Sequence, residues 1–199
     1  MAASPDGNGG VGPISALSIA LDERDPITHD HCDRVSGLAL EIGRRVSLTG
    51  TDLRRLRLVA QLHDVGKIGI PDEVLKKPGR LTEAEWVVMK SHSARSERIV
   101  MASEIDDANL IARAVRHHHE RFDGHGYPDG LAGESIPALA RIVAIVDTYD
   151  AMARLRLYGA PEPHRDIMKE LARVSGAQHD PYFSAIFAEI IEASPFKTA

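Results

Sequence analysis

The fold of this chain is decided by the stretch Gln-Leu-His-Asp-Val-Gly-Lys, residues 61–67. The stretch ends an apolar segment in which Leu56, Val59 and Leu62 recur at helical spacing. A histidine and an aspartate at such a position are buried only at a cost in free energy, unless a positive charge holds them. His63 and Asp64 therefore indicate a cation site at the end of this helix.

Further candidate ligands lie on other predicted helices. His92 lies on one of them, a histidine triplet at 117–119 ends the next, and Asp147 follows the apolar run 142–146. A single histidine is more often a surface or hydrogen-bonded core residue than a ligand, and the triplet alone could be a solvated helix end. Because His and Asp recur on separate helices, we interpret the pattern as a metal site assembled from several helices.

The spacing of these ligands favours two ions. Neighbouring histidines on a helix point about 100° apart, because one turn holds ~3.6 residues, so we expect them to serve two adjacent ions. Asp64 can bridge such ions with its two oxygens. Two ions about 3.5–4 Å apart form a clamp for in-line phosphoryl chemistry. Ligands that are all His and Asp suit Fe, Mn, Zn or Co better than a structural zinc.

Composition excludes several other classes of function. The chain has 199 residues, a net charge of −5 and no basic stripe, so we expect no binding to nucleic-acid polymers. Cys32 is the single cysteine, which excludes a disulfide framework and fits a cytoplasmic protein. No apolar run approaches the ~18 residues that a membrane span needs.

The apolar periodicity predicts an all-α fold. Helices are expected over about 14–24, 28–46, 51–64, 107–119, 138–153, 164–175 and 181–193, and Thr28 is the expected cap of the second. A further helix is expected to start at a capping box, residues 81–85, and to carry His92. The run 142–146 could be a buried strand by pattern alone, but no other segment offers it a partner. Residues 120–130 are too rich in Gly, Pro and Asp for a helix. We expect a flexible lead at 1–13, which is not a signal peptide, one domain at 14–194 and a tail at 195–199.

With these motifs the chain resembles the HD-GYP family, a branch of the HD superfamily of metal-dependent phosphohydrolases. The resemblance covers about residues 22–190 and rests on HDVGK at 63–67, MKSH at 89–92, HHERFDGHGYP at 118–128, DTYDA at 147–151 and RDPITHDH at 24–31. It implies a bundle of about seven helices with an added Gly-Tyr-Pro loop. The implied activity is that of a cyclic di-GMP phosphodiesterase.

The resemblance also implies roles for individual residues. One metal would be held by His31, His63, Asp64 and Asp147, and Asp64 would bridge to a second metal held by His92, His118 and His119. Lys67 would contact the scissile phosphate, Arg156 would bind phosphate, and Tyr127 would line the site or serve only as a loop anchor. A hydroxide activated by the metals would yield pGpG and then GMP. Fe or Mn is expected, with Zn, Co, Ni or Mg as alternatives, and Ile27 replaces the Glu through which some relatives hold a third ion.

Two positions depart from the family pattern. Leu155 replaces an Asp, and Gly159 replaces a phosphate-binding Lys for which Arg154 is the nearest substitute. These changes leave the metal ligands intact but weaken the case for guanine-dinucleotide affinity. Two alternatives therefore stand beside the phosphodiesterase: a metal-containing binding module without turnover, and an HD phosphohydrolase for another nucleotide such as cyclic GMP-AMP.

The resemblance suggests partners as well. In the family the Gly-Tyr-Pro loop is linked with binding to GGDEF-domain proteins, and the lead helix at 14–24 would connect to an upstream sensor or receiver domain. Ile14, Leu17 and Leu21 form a stripe that could pair with a second copy of the chain. The stripe is short, so packing on its own domain is the preferred interpretation.

Overall fold

The structure, a computed structural model, describes residues 17, 19–21, 23–24, 26–153 and 162–198, with residues 26–30 described by their backbone alone. Within these ranges no strands pair beyond one isolated bridge between Ser175 and His179. The helices are α1 (Pro26–Arg45), α2 (Gly50–Leu62), α3 (Asp72–Leu75), α4 (Glu83–Met101), α5 (Ala108–Arg116), α6 (Ala138–Ala153), α7 (His164–Val174) and α8 (Pro181–Ile191). The predicted all-α fold is confirmed.

Some predicted residues fall outside this description. Arg156 and the departures at Arg154, Leu155 and Gly159 lie outside the described residues, as does the side chain of Ile27. Of the helices within the described ranges, none combines the length and the apolar character needed to cross a lipid bilayer.

Helix starts follow local capping chemistry. At the start of α4, Glu85 N donates to Thr82 Oγ1 (3.3 Å) and Thr82 N donates to Glu85 Oε2 (2.7 Å), which confirms the predicted capping box. Thr49 caps α2, slightly before the predicted start. The predicted cap at Thr28 is wrong because α1 begins at Pro26, a residue that suits the first helical turn since it needs no N–H partner.

The end of α5 also differs from the prediction. The helix was expected to run to residue 119 but ends at Arg116. His117 Nδ1 donates to Arg113 O (2.7 Å), the carbonyl that His117 N would use in a continued helix, while His117 N donates to Ala114 O (3.2 Å). The imidazole thus competes with the backbone for the carbonyl and tightens the last turn. The rest of the histidine triplet therefore lies in a turn.

Helix α6 runs through the core. Ile142, Val143, Ile145 and Val146 are buried in a cluster shared with apolar side chains of α1, α2 and α5. A helix that is buried on several sides is apolar around most of its circumference, which explains its strand-like sequence. The prediction that this run is helical is confirmed.

The turn after α2 docks tightly on α4. A Cβ atom at Gly66 would lie 2.0 Å from His92 O, so only glycine allows the two backbones to approach this closely. Ser96 Oγ accepts a hydrogen bond from Gly66 N (2.7 Å) and donates one to His63 O (2.9 Å). Ser96 therefore fixes the His63-Asp64 turn against the helix that carries His92.

We expect Ser96→Ala to lower the free energy of unfolding by about 2 kcal/mol, because it leaves a buried N–H and a buried C=O without their partner. Urea unfolding of the chelator-treated protein measures the change. Ser93→Ala is the matched control, since Ser93 is equally buried on α4 but, within the described part of the chain, its hydroxyl bonds only to Lys90 O in its own helix (3.1 Å). Equal losses in the two variants would contradict the role of Ser96.

Candidate metal centre

Six of the predicted ligands converge in two adjoining groups. The four-ligand group consists of Asp64, His92, His118 and His119, and the three-ligand group consists of His31, His63 and Asp64. Within each group the ligand atoms lie within 4.8 Å of one another. Asp64 belongs to both groups, as expected for a carboxylate that bridges two ions. The seventh predicted ligand, Asp147, lies beside His31, with 3.1 Å between Asp147 Oδ1 and His31 Nε2.

Three of these imidazoles are oriented by the same type of bond. In each, Nδ1 lies near the carbonyl three residues earlier: His63 to Ala60 (2.8 Å), His92 to Met89 (2.8 Å) and His118 to Val115 (2.6 Å). Because a carbonyl oxygen only accepts, Nδ1 carries the proton and Nε2 of the neutral ring keeps a lone pair. This arrangement is typical of histidines that bind metals through Nε2.

The Nε2 atoms crowd together in the middle of the cluster. His119 Nε2 lies 3.1 Å from His92 Nε2, which lies 3.5 Å from His118 Nε2. His63 Nε2 is buried and has no hydrogen-bond partner among the described residues. Lone pairs cannot bond to one another, and a buried acceptor without a partner costs about 1–3 kcal/mol. The residues therefore fit a divalent cation, which would satisfy these atoms together.

Electrostatics prepares the four-ligand group for a cation. Burial lowers the pKa of His92, takes that of His118 well below its usual value and lowers that of His119 to about 4. Burial opposes ionisation of Asp64, but the charge of Lys67 and the neighbouring histidines hold its pKa well below the usual range. At neutral pH the group is one carboxylate and three neutral imidazoles, the protonation states that a metal requires.

The His31 end is held by carboxylates from α6. Asp147 lies at Nε2 of His31, and Asp150 Oδ2 lies 2.8 Å from Nδ1. Arg34 pairs with both Asp150 oxygens at 2.7 and 2.9 Å. Burial opposes a charge on His31, but the hydrogen bonds to Asp147 and Asp150 raise its pKa to about 10. In the metal-free protein His31 is therefore an imidazolium, and a cation at Nε2 displaces its proton.

Lys67 and Tyr127 also lie at the cluster. Lys67 Nζ lies 2.6 Å from Asp64 Oδ2, at the edge of both ligand groups. The Tyr127 ring lies 4.8 Å from the His119 ring between centroids, and Tyr127 N donates to His119 O (3.2 Å). Burial raises the pKa of Tyr127, so its hydroxyl is a neutral hydrogen-bond donor. Both residues are positioned to face a molecule bound at the centre.

A network of side chains closes the Gly-Tyr-Pro loop, residues 120–130, over α5. Arg116 pairs with both Asp129 oxygens at 2.7 and 2.8 Å, and His117 Nε2 lies 2.8 Å from Asp129 Oδ2. Buried Glu120 accepts from Asp129 N (2.7 Å). A Cβ atom at Gly126 would lie 2.2 Å from Arg121 N, so the loop folds back closely on its own start. These contacts hold Tyr127 against His119.

The expectation that adjacent histidines serve different ions is wrong for His118 and His119. Both belong to the four-ligand group, because α5 has ended before them and a turn allows both rings to face one centre. This outcome agrees with the ligand set implied by the family resemblance.

Three residues at the centre were not identified from the sequence. Arg34 and Asp150 orient His31, and Ser96 supports the His63-Asp64 turn. Asp150 lies three residues after Asp147 and Arg34 three after His31, so helical spacing offered a signal for both. Nothing local distinguishes Ser96 from other helix serines.

We expect metal loading of the chelator-treated protein to release at least one proton, because the pKa of His31 is raised to about 10 and this ligand must lose its proton on binding. A pH indicator in weak buffer measures the release near pH 7.5. The apparent affinity of the protein for the ion bound by His31 should rise about tenfold per pH unit between about pH 6 and 9. The reason is that the deprotonated fraction of His31 increases with pH in this range. His31→Gln is the control and should release about one proton fewer than wild type; release that is unchanged in this variant would contradict the assignment.

Comparison of the sequence with known proteins shows which family the chain resembles. A sequence profile described as HD domain matches residues 16–182. The chain is 37% identical over 180 residues to the cyclic di-GMP phosphodiesterase of Thermotoga maritima, covering 90% of this chain and 47% of that protein. It is 34% identical over 180 residues to the 3'3'-cGAMP-specific phosphodiesterase 3 of Vibrio cholerae, covering 90% of this chain and 38% of that protein. The chain thus spans less than half the length of these relatives.

A solved structure shares the fold. An HDG"Y"P protein from Bdellovibrio bacteriovorus superposes with a TM-score of 0.65 at 21% identity, over 81% of this chain and 51% of that one. At this identity the likeness concerns the fold alone. The profile, by contrast, spans most of the chain and includes helices α1 to α7 in full. The resemblance drawn from the motifs is confirmed at this level, and the chain belongs to the HD domain family.

Proposed function

We propose that this chain is a divalent metal-dependent phosphodiesterase that hydrolyses cyclic di-GMP to pGpG and then to GMP. The observation that carries the proposal is the shared position of Asp64 between two groups of inward-facing imidazoles. Two ions about 3.5–4 Å apart that share a carboxylate are the arrangement used for in-line displacement at phosphorus. The relative from Thermotoga maritima, named a cyclic di-GMP phosphodiesterase, supports the choice of substrate.

The proposed ligands divide between two ions. One ion would be held by His31, His63, Asp64 and Asp147, and the other by Asp64, His92, His118 and His119. When bound, the ions supply an activated water nucleophile and positive charge opposite the phosphate. Fe or Mn is the proposed occupant, since the ligands are all His and carboxylate with no thiolate, and availability in the cell decides which metal is loaded.

The protein's own groups act around that centre. Lys67 contacts the scissile phosphate and stabilises the negative charge that develops there. Asp64, held ionised by Lys67 and the neighbouring histidines, orients the attacking water. Tyr127 lines the opposite wall, and its neutral hydroxyl can donate to a phosphate or sugar oxygen. Arg156 remains a predicted phosphate contact.

A second substrate is favoured by a specific observation. A Vibrio cholerae relative at similar identity is named specific for 3'3'-cGAMP, so the same family pattern serves a dinucleotide with one adenine. A binding module without turnover is the remaining alternative, motivated by Leu155 and Gly159. GGDEF-domain proteins and an upstream sensor or receiver domain remain predicted partners.

We expect Asp64→Asn to lower the rate of cyclic di-GMP hydrolysis by about 10³-fold or more, because the variant loses the charge that both ions share. Chromatography of pGpG and GMP released by Fe- or Mn-loaded protein measures the rate. Asp72→Asn is the control, since Asp72 is an exposed carboxylate paired with Arg24 and Lys76.

Assays of the same preparations with cyclic di-GMP and with 3'3'-cGAMP separate the alternatives. Faster hydrolysis of 3'3'-cGAMP than of cyclic di-GMP would select the second substrate. Saturable binding of cyclic di-GMP by the metal-loaded protein without release of product would select the binding module. Metal-loaded protein that neither binds nor cleaves any cyclic dinucleotide would refute the proposed function.

We expect Lys67→Met to lower kcat by about 10²-fold with a smaller effect on metal content, because Lys67 stabilises charge in the transition state but is not itself a ligand. Metal analysis and steady-state kinetics on one preparation separate the two effects. Lys76→Met is the matched control, since Lys76 forms an ion pair with exposed Asp72, away from the ligand groups. Loss of both metals together with activity would assign Lys67 a role in assembly of the site instead.

A further inference from the structure

A lysine lies between two aromatic rings beside the candidate metal centre. Lys90 Nζ lies 5.5 Å from the Tyr127 ring centroid and 6.0 Å from the Trp86 ring centroid. Trp86 and Lys90 are one helical turn apart on α4, and Tyr127 reaches them from the Gly-Tyr-Pro loop. We call these three residues the aromatic–lysine wall.

The wall is continuous with the metal centre. Tyr127 stacks at a tilt of 31° beside His119 and lies 6.5 Å from the His92 ring, so its ring borders the four-ligand group. Lys90 lies two residues before the candidate ligand His92 on α4, and Trp86 lies one further turn toward the start of that helix. A molecule whose phosphate lies at the metals therefore meets an aromatic face, a cation and a second aromatic face in that order.

The outer part of the wall is open to a ligand. Trp86 is 45% exposed, although a large aromatic ring gains free energy when its faces are covered. Among the described residues no carboxylate lies within ion-pair distance of Lys90 Nζ, whereas Lys67, Lys76, Lys77, Lys169 and Lys197 all pair with acids. A cation without an acidic partner can take a phosphate, and an exposed indole can stack on a base.

From these contacts we propose that the aromatic–lysine wall is a nucleotide subsite for the part of the substrate that is not cleaved. Lys90 binds the second phosphate, and Trp86 stacks on the attached purine base. The ligand class is a cyclic purine dinucleotide, which carries two phosphates and two bases on one compact ring. This inference rests on the proposed function, because it assigns the remote half of that same substrate.

The subsite has a consequence for specificity. Stacking on an indole tolerates guanine and adenine alike, because every base presents a π-face. The wall therefore selects a dinucleotide over a single phosphodiester without distinguishing cyclic di-GMP from cyclic GMP-AMP.

The tryptophan itself provides a direct test, because Trp86 is the only one in the chain. Stopped-flow mixing of metal-loaded protein with cyclic di-GMP should quench its fluorescence in a saturable phase that precedes product release. Lys90→Met should weaken the apparent Kd by about tenfold, as expected for loss of one phosphate contact. Lys169→Met, which removes a lysine on α7, should leave the Kd unchanged. Absence of quenching in protein that cleaves cyclic di-GMP would overturn the subsite.

Kinetics gives a second, independent readout. Trp86→Ala should raise KM for cyclic di-GMP by about tenfold with kcat nearly unchanged, because remote stacking is lost equally from ground and transition states. The same variant should cleave bis(p-nitrophenyl) phosphate like wild type, since that ester has neither a purine nor a second phosphate. Tyr182→Ala, at an exposed aromatic on α8, is the matched control. A fall in kcat on both substrates would assign Trp86 a structural role instead.

The outcomes separate this inference from the proposed function. Wild-type protein that cleaves cyclic di-GMP while Trp86→Ala and Lys90→Met keep its KM would refute the subsite and leave the function standing. If the protein does not cleave cyclic di-GMP, but cyclic di-GMP quenches its Trp86 fluorescence and Lys90→Met weakens that quenching, the subsite stands and the proposed function is refuted. Neither cleavage nor quenching would overturn both.

Discussion

The structure depends on one buried carboxylate, Asp64, surrounded by imidazole nitrogens that find no hydrogen-bond donor in the described part of the chain. His92 Nε2 lies 3.1 Å from His119 Nε2 and 3.5 Å from His118 Nε2, and His63 Nε2 has no partner among the described residues. In a protein interior such crowding of lone pairs is unfavourable by itself. The arrangement becomes favourable when a cation occupies the space. The cluster therefore stabilises the metal-bound protein relative to the metal-free protein.

The surrounding fold keeps these side chains in place before any ion binds. His63, His92 and His118 are each held at Nδ1 by the carbonyl three residues back in the chain. Ser96 and Gly66 bring the His63-Asp64 turn against α4, and Arg34 with Asp150 orients His31 from the other side. A site that is preorganised in this way loses little conformational entropy when it binds its ligands. The same preorganisation positions Lys67 and Tyr127 at the rim.

The electrostatic character of the centre is uneven. Its α4 and α5 side carries neutral histidines, because burial lowers their pKa values, while its α1 and α6 side holds His31 as an imidazolium between Asp147 and Asp150. Metal binding on the α1 and α6 side therefore requires the loss of the His31 proton, whereas the histidines on the α4 and α5 side are already neutral. Outside this centre, the aromatic–lysine wall adds apolar faces and one cation. The combination suits a ligand that is anionic at its phosphates and apolar at its bases.

The sequence by itself determined the helical fold class and the chemical types of the ligands, because periodicity, capping residues and the choice of His and Asp are local properties that each segment carries. It also indicated, through the family resemblance, that His118 and His119 share a partner with His92. Only the tertiary structure decided how α5 ends, since the His117 ring takes a carbonyl that a continued helix would need. It likewise decided that Ser96 supports the turn at Asp64 and that Lys90 lies between Trp86 and Tyr127. These contacts join residues far apart in the chain or depend on competing hydrogen bonds, and no local pattern encodes which of the competing partners wins.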